Sequence, residues 1–103
     1  MQIDGKIDLH GMTQAQAHST LDAFIASGHA QGKRCVLVVT GKGGKTGVDP
    51  DNIFVERRTG VLRSMVPKWL NEGGNRARVL NFMPAQARHG GDGALYVLLR
   101  RKR

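Results

Sequence analysis

An α/β fold, built as a two-layer α+β domain in the order β-α-β-α-β-β, is predicted by three features of this sequence. Short apolar runs fall at residues 6–9, 34–39, 76–82 and 94–99. Two intervening segments carry apolar residues at helical spacing, and glycine-bearing junctions close the runs. A chain of 103 residues is one domain, 1–103, with room for a single modest core. Met1 stands only a few residues before the first run, which leaves room for an N-terminal extension upstream of this sequence.

Each element has its own signal. Residues 6–9 form a short strand closed by His10-Gly11. Thr13 reads as a helix N-cap because Gln16, three residues on, can complete a capping box. Ala17, Leu21, Phe24 and Ile25 then share one face; Gly28 weakens the helix end and Gly32 caps it. Residues 34–39 are β-branched and nearly all apolar, as a central strand should be. From 41 to 59 the glycines, Asp49, Pro50, Asp51 and Asn52 read as a long loop, with Ile53-Phe54-Val55 as its apolar patch. Leu62, Met65, Val66, Trp69 and Leu70 give the second helix one face, which makes Trp69 a core residue, and Pro67 predicts a kink or a restart. Gly73-Gly74 ends that helix, and strands at 76–82 and 94–99 follow.

Handedness sets the topology. Right-handed crossovers make the first three strands parallel and put both helices on one face of a four-stranded mixed sheet; the fourth strand, reached without a helix, runs antiparallel. The ends of strands one, two and three and the start of strand four then share one sheet edge. Alternation turns Ile7 and Leu9 toward the helices and Asp8 and His10 toward the open face.

Composition narrows the function classes. Sixteen Lys and Arg against eight Asp and Glu give a net charge of +8, which favours an anionic partner, nucleic acid before an anionic membrane surface. Cys35 is the one cysteine, so no internal disulfide forms; inside an apolar run it fits a small buried hydrophobe in a reducing, cytoplasmic setting. No stretch approaches the roughly 20 apolar residues of a membrane span, and no Cys/His cluster has zinc spacing.

Chemistry concentrates at the predicted edge. Asp8 and His10 suit a pair in which a carboxylate orients an imidazole that moves a proton at a phosphodiester: from a 2′-hydroxyl in RNA, or from water in DNA. The plain alternative has Asp8 paired with a neighbouring cation and His10 bonded to backbone. Thr40-Gly41-Lys42-Gly43 sets two glycines around a lysine, a cradle for phosphate or an ordinary turn. Lys45 follows, but Gly44-Lys45-Thr46 is no Walker A loop, because residue 39 is Val where that motif needs Gly. Gly90, Gly91 and Gly93 give backbone freedom to a third junction, and His89 beside them either assists His10 or is solvated. Arg57, Arg58, Arg63, Lys68 and the terminal 100–103 run are further phosphate-contact candidates, the run equally a solvated tail. His18 and His29 have no evident partner in the sequence.

The runs Ile7-Asp8-Leu9-His10-Gly11, Thr40-Gly41-Lys42-Gly43 and Gly90-Gly91-Asp92-Gly93-Ala94, with Gly60-Val61-Leu62-Arg63 and Val66-Pro67-Lys68-Trp69-Leu70 between them, resemble the Smr (small MutS-related) domain family along essentially the whole chain. The first run departs from the family's L-D-L-H-G only by Ile7. The resemblance implies a small α/β fold like the C-terminal domain of a bacterial translation initiation factor. It further implies nicking of DNA or cleavage of RNA, Mg²⁺-stimulated or metal-independent, in some members at stalled ribosomes; other members resemble binding modules only.

Three readings follow. The first is an endonuclease on RNA or structured DNA centred on Asp8 and His10, with Thr40, Gly41, Lys42, Gly43, Lys45, His89, Gly90, Gly91 and Gly93 contacting nucleic acid, and with no fixed cofactor. The second is a non-catalytic binding module that delivers a partner to nucleic acid or the ribosome. The third is a protein-interaction domain that docks a partner through its open sheet face or the long loop 44–59, whose Ile53-Phe54-Val55 patch in the plain alternative packs back on the core.

Overall fold

The chain folds into one four-stranded mixed sheet with helices on one face, seen in a computed structural model that describes residues 2–41, 53–89 and 93–101, the side chains of 53–61 excepted. The elements are β1 (Gly5–Asp8), α1 (Gln14–Ala30), β2 (Cys35–Val39), α2 (Ile53–Leu70), α3 (Gly73–Arg78), β3 (Val79–Pro84) and β4 (Ala94–Leu99). The sheet order is β1-β2-β4-β3: β1 and β2 pair in parallel, and β4 lies antiparallel between β2 and β3. The first three strands therefore run in one direction, with β4 returning between the second and third.

Helix α1 starts and stops where side-chain chemistry says it should. The Thr13 hydroxyl accepts from the Gln16 N–H at 3.2 Å while the Gln16 side chain accepts from the Thr13 N–H at 3.0 Å. At the other end Gly32, at φ +77°, follows the cap. There the Lys33 N–H bonds the Gly28 carbonyl at 2.9 Å and the Gly32 N–H bonds that of His29 at 3.1 Å, the Schellman pattern. Gly28 is buried, and a Cβ there would lie 3.3 Å from Leu99 Cδ1, so the missing side chain lets α1 approach β4.

One core lies between helices and sheet. Ala17, Leu21 and Ile25 of α1 and Leu62, Val66, Trp69 and Leu70 of α2 pack on Leu9, Val36, Val38, Val79, Val97 and Leu99. Trp69 is core, at 3 % exposure. Alternation along β2 and β4 sends Cys35, Leu37, Ala94 and Tyr96 to the opposite face, where they form a second apolar cluster with Ala85, edged by Ile3, Val39, Met83 and Leu98. Burial pushes the Cys35 thiol upward, the Asp4 charge adds to it, and the group stays a protonated hydrophobe.

Three boundaries differ from the sequence expectation. Helix α2 begins at Ile53, so Ile53-Phe54-Val55 belongs to a helix and not to a loop patch. Ile, Val, Thr and Gly60 are weak helix formers, which hides this first half from a propensity reading. The helix also runs through Pro67 to Leu70 with no restart. Gly73-Gly74 ends nothing: α3 starts there, and residues 76–78 are helical instead of strand. Tertiary contacts explain that helix, since the buried Asn75 side chain donates to Asp22 of α1 at 2.7 Å and to the Trp69 carbonyl at 3.2 Å.

The N-terminus is tied to β2 by a carboxylate. Asp4 accepts from the Arg34 N–H at 2.9 Å and the Cys35 N–H at 3.3 Å, and these bonds, helped by the Lys33 and Arg34 charges, hold its carboxyl below the usual aspartate range. A depressed folded value adds stability above the unfolded value, about 3.9, and that stability is lost as pH falls through the folded value. Asp4→Ala should therefore lower the melting temperature at neutral pH, with the gap from the parent protein closing in acid below about pH 3.9; a gap constant across that range would refute the linkage.

Candidate nucleic-acid edge

The three glycine-bearing junctions meet at one sheet edge, as the topology requires. Asp8 is in register with Val39, and Val39 with Ala94, so the ends of β1 and β2 and the start of β4 lie level. The Leu9 N–H continues the β1–β2 ladder to the Val39 carbonyl at 2.7 Å. Gly11, at φ +82°, then turns the chain toward α1, a conformation that an L side chain adopts only with strain.

Gly93 is the point where two junctions lock. Its carbonyl accepts from the Thr40 N–H at 2.7 Å, the Gly41 N–H at 3.2 Å and the Thr40 hydroxyl at 3.2 Å. Thr40 is 2 % exposed and Gly41 is buried. These donors are engaged within the protein, so Thr40 and Gly41 hold the edge together instead of presenting their N–H groups to a phosphate. Lys42, Gly43, Lys45, Gly90 and Gly91 lie outside the described residues.

Asp8 and His10 are both exposed at this edge. Asp8 shares a face with Val39, on the side away from the helices, as alternation predicts. Its contact with His10 differs from the expected one: Asp8 Oδ1 accepts from the His10 backbone N–H at 2.8 Å. The carboxylate shapes the turn that carries the imidazole, and the ring itself is presented to solvent. A bare, exposed imidazole suits proton exchange with a bound substrate.

His89 is held by a residue that the sequence reading passed over. Its Nδ1 makes a short hydrogen bond with the Tyr96 hydroxyl, which also accepts from the Gln86 N–H at 3.3 Å, and the two rings meet edge to face at 5.6 Å between centroids. Tyr96 is 5 % exposed on the open-face side of β4. The signal was available, since Tyr96 is two residues from Ala94 and so shares its face. Two strand spacings, about 10 Å, and two residues, about 7 Å, separate the Asp8 and Tyr96 backbones. His89 and His10 thus flank the edge without touching.

His18 and Trp69 form a different group, on the helix layer. Their rings stack at 4.4 Å, and His18 Nε2 lies 3.6 Å from Asp22, so His18 caps the core tryptophan. As for a metal, among the described residues Asp8 is the one carboxylate placed at the edge, and no three His, Cys, Asp or Glu side chains converge as a ligand set. These described residues do not by themselves fit a chelated Mg²⁺.

The family profile described as the Smr domain matches residues 7–100. The chain belongs to the Smr domain family. Among solved structures it is similar to YdaL, a stand-alone small MutS-related protein from Escherichia coli, with a TM-score of 0.74 and 29 % identity over 93 % of this chain and 64 % of that one. It is likewise similar to the Smr domain of Thermus thermophilus MutS2, with a TM-score of 0.70 and 27 % identity over 93 % of this chain and 98 % of that one. In sequence it is 33 % identical over 96 residues to ribosome rescue factor SmrB of Tolumonas auensis, covering 93 % of this chain and 45 % of the relative. Against the SmrB of a Shewanella species the identity is 34 % over 98 residues, 95 % of this chain and 46 % of the relative. The chain thus spans about half the length of the curated relatives it matches.

The Gly93 lock is testable in isolation. Thr40→Val keeps the shape and removes one donor while two backbone donors remain, so the variant should lose about 0.5–1.5 kcal/mol in urea unfolding. A loss near zero would show that the hydroxyl contributes nothing to holding the edge.

Proposed function

We propose that this Smr domain is a nucleic-acid-binding module that engages RNA at the ribosome and holds the phosphate backbone along the edge where β1, β2 and β4 meet. The observation that carries the reading is the convergence of the three glycine-bearing junctions, with Asp8 and His10 exposed in the first of them. A net charge of +8 and the ribosome rescue factors among its relatives support it. No helix among the described residues is long and apolar enough to cross a membrane, and a cytoplasmic site of action fits this reading. Lys42, Gly43 and Lys45, which follow Thr40 and Gly41 in the chain, are the proposed phosphate contacts, together with Gly90 and Gly91.

A second, catalytic reading rests on the exposed His10 ring. In phosphodiester cleavage of RNA, or of structured DNA, the imidazole takes a proton from the attacking hydroxyl or water, and Asp8 fixes the turn that aims it. Here Asp8 is a positioning residue. Its removal should change the orientation of His10 and leave binding in place.

Fluorescence anisotropy with labelled RNA, repeated across salt concentrations, tests the first reading. The parent protein should bind with affinity that falls steeply with salt, and Lys42→Ala should reduce the slope by about one unit, the signature of one lost phosphate contact. Absent binding at low salt, or an affinity insensitive to salt, would overturn it. Incubating the same RNA and a branched DNA with the protein, with and without Mg²⁺, tests the second. Products that disappear in a folded His10→Ala protein support the catalytic reading; undiminished cleavage by that variant, or no products from the parent, refutes it.

A further inference from the structure

The end of the sheet farthest from the Asp8–His10 edge carries the densest group of described cations. Arg34 stands at the start of β2, Arg76 in α3 just before β3, and Arg100 and Arg101 directly after β4. Main-chain bonds gather them: the Leu99 N–H reaches the Arg34 carbonyl and the Arg100 N–H the Arg78 carbonyl, each at 2.8 Å. All four arginines are exposed. They line two adjoining grooves of about 450 and 580 Å³ that share Ala77 and Arg100, with His29 completing the wall.

Two further observations indicate that a ligand is meant to meet this charge. Among the described residues the one ion pair is His18–Asp22, so none of these guanidinium groups is neutralised by a carboxylate partner. Asp4 is near enough to feel Arg34, but its carboxylate is bonded to the Arg34 and Cys35 amides. Gathering like charges without counter-charges raises the energy of the free protein unless an anion joins them. Leu80, 56 % exposed, is among the described residues the one large hydrophobic residue so open to solvent, and it lies in the same groove. Cations in a row around an apolar floor suit a nucleic-acid strand, whose phosphates meet the guanidinium groups while a sugar or base rests on the leucine.

We propose that this groove is a second phosphate-binding tract for the same nucleic acid, placed one sheet length from the Asp8–His10 edge. The inference rests on the nucleic-acid reading above and extends it. The six residues of β4 connect the two ends, a distance of about 20 Å. The domain would thus grip its substrate at two separated points and set the distance from the gripped segment to the His10 ring.

Salt-dependent binding separates the possibilities. Arg76→Ala/Arg100→Ala should lower the salt slope by about 1.4 units on single-stranded RNA and about 1.8 on duplex DNA, two contacts in each case. The reference is Lys6→Ala, an exposed β1 cation outside the groove, which should lower the slope less than Arg100→Ala alone. Should the first variant unfold on circular dichroism, Arg34→Gln/Arg101→Gln provides the same comparison, and Arg76→Lys/Arg100→Lys should retain the slope. Parent protein that binds while the groove variants keep its slope, or a fall in the Lys6→Ala variant equal to that of Arg100→Ala, overturns the tract and leaves the edge reading intact. Arginine-dependent binding of poly-glutamate with an unchanged nucleic-acid slope also overturns it and assigns the groove to an acidic protein segment. Failure of the parent to bind any nucleic acid overturns the functional reading itself.

Discussion

The Gly93 carbonyl is the constraint on which the arrangement of the edge depends. Three donors from Thr40 and Gly41 converge on that single oxygen, and they come from the strand next to β4 at the point where both leave the sheet. A carbonyl with two lone pairs is saturated by such a set, and its burial keeps water from competing. The lock fixes the start of β4 against the end of β2, and the Leu9–Val39 bond fixes the end of β1 to the same level. Every candidate functional group at this edge inherits its position from these bonds. The motif residues Thr40 and Gly41 are therefore explained by structure, and any phosphate chemistry passes to the residues that follow them.

The sheet also separates two kinds of surface. Its helix side is sealed by the residues of α1 and α2, while on its other side the described residues that pack against it are Ala85 and the turn that brings His89 to Tyr96. Asp8 stands on that second side. At one end of the strands stands an exposed histidine, and at the other are exposed arginines with an exposed leucine. A polar strand lying along the molecule would meet proton chemistry at one end and fixed charge at the other, a division of labour that the strand directions impose.

Much of this was legible from the sequence because local rules and topology agreed. The Thr13–Gln16 box, the Gly32 turn and the core placement of Trp69 each follow from spacing of a few residues. The meeting of three junctions follows from right-handed crossovers and one antiparallel return. What escaped depends on contacts that spacing does not encode. Helix α3 forms because Asn75 reaches Asp22 and Trp69, and Gly73-Gly74 alone reads as a stop. The first half of α2 is hidden by weak helix formers. Asp8 bonds the His10 backbone N–H and not the ring, because a side chain two residues away can reach the backbone as easily as the imidazole. The arginine groove joins residues from positions 29 to 101, which no local window brings together.

The most direct test of the central claim is residue-resolved. In an NMR titration of the isotope-labelled chain with single-stranded RNA, the account predicts that the largest amide shifts fall at the ends of β1 and β2 and the start of β4, around His10, Gly41 and Gly93. Shifts confined to the outer surfaces of α1 and α2, with those three amides unmoved at saturation, would contradict it.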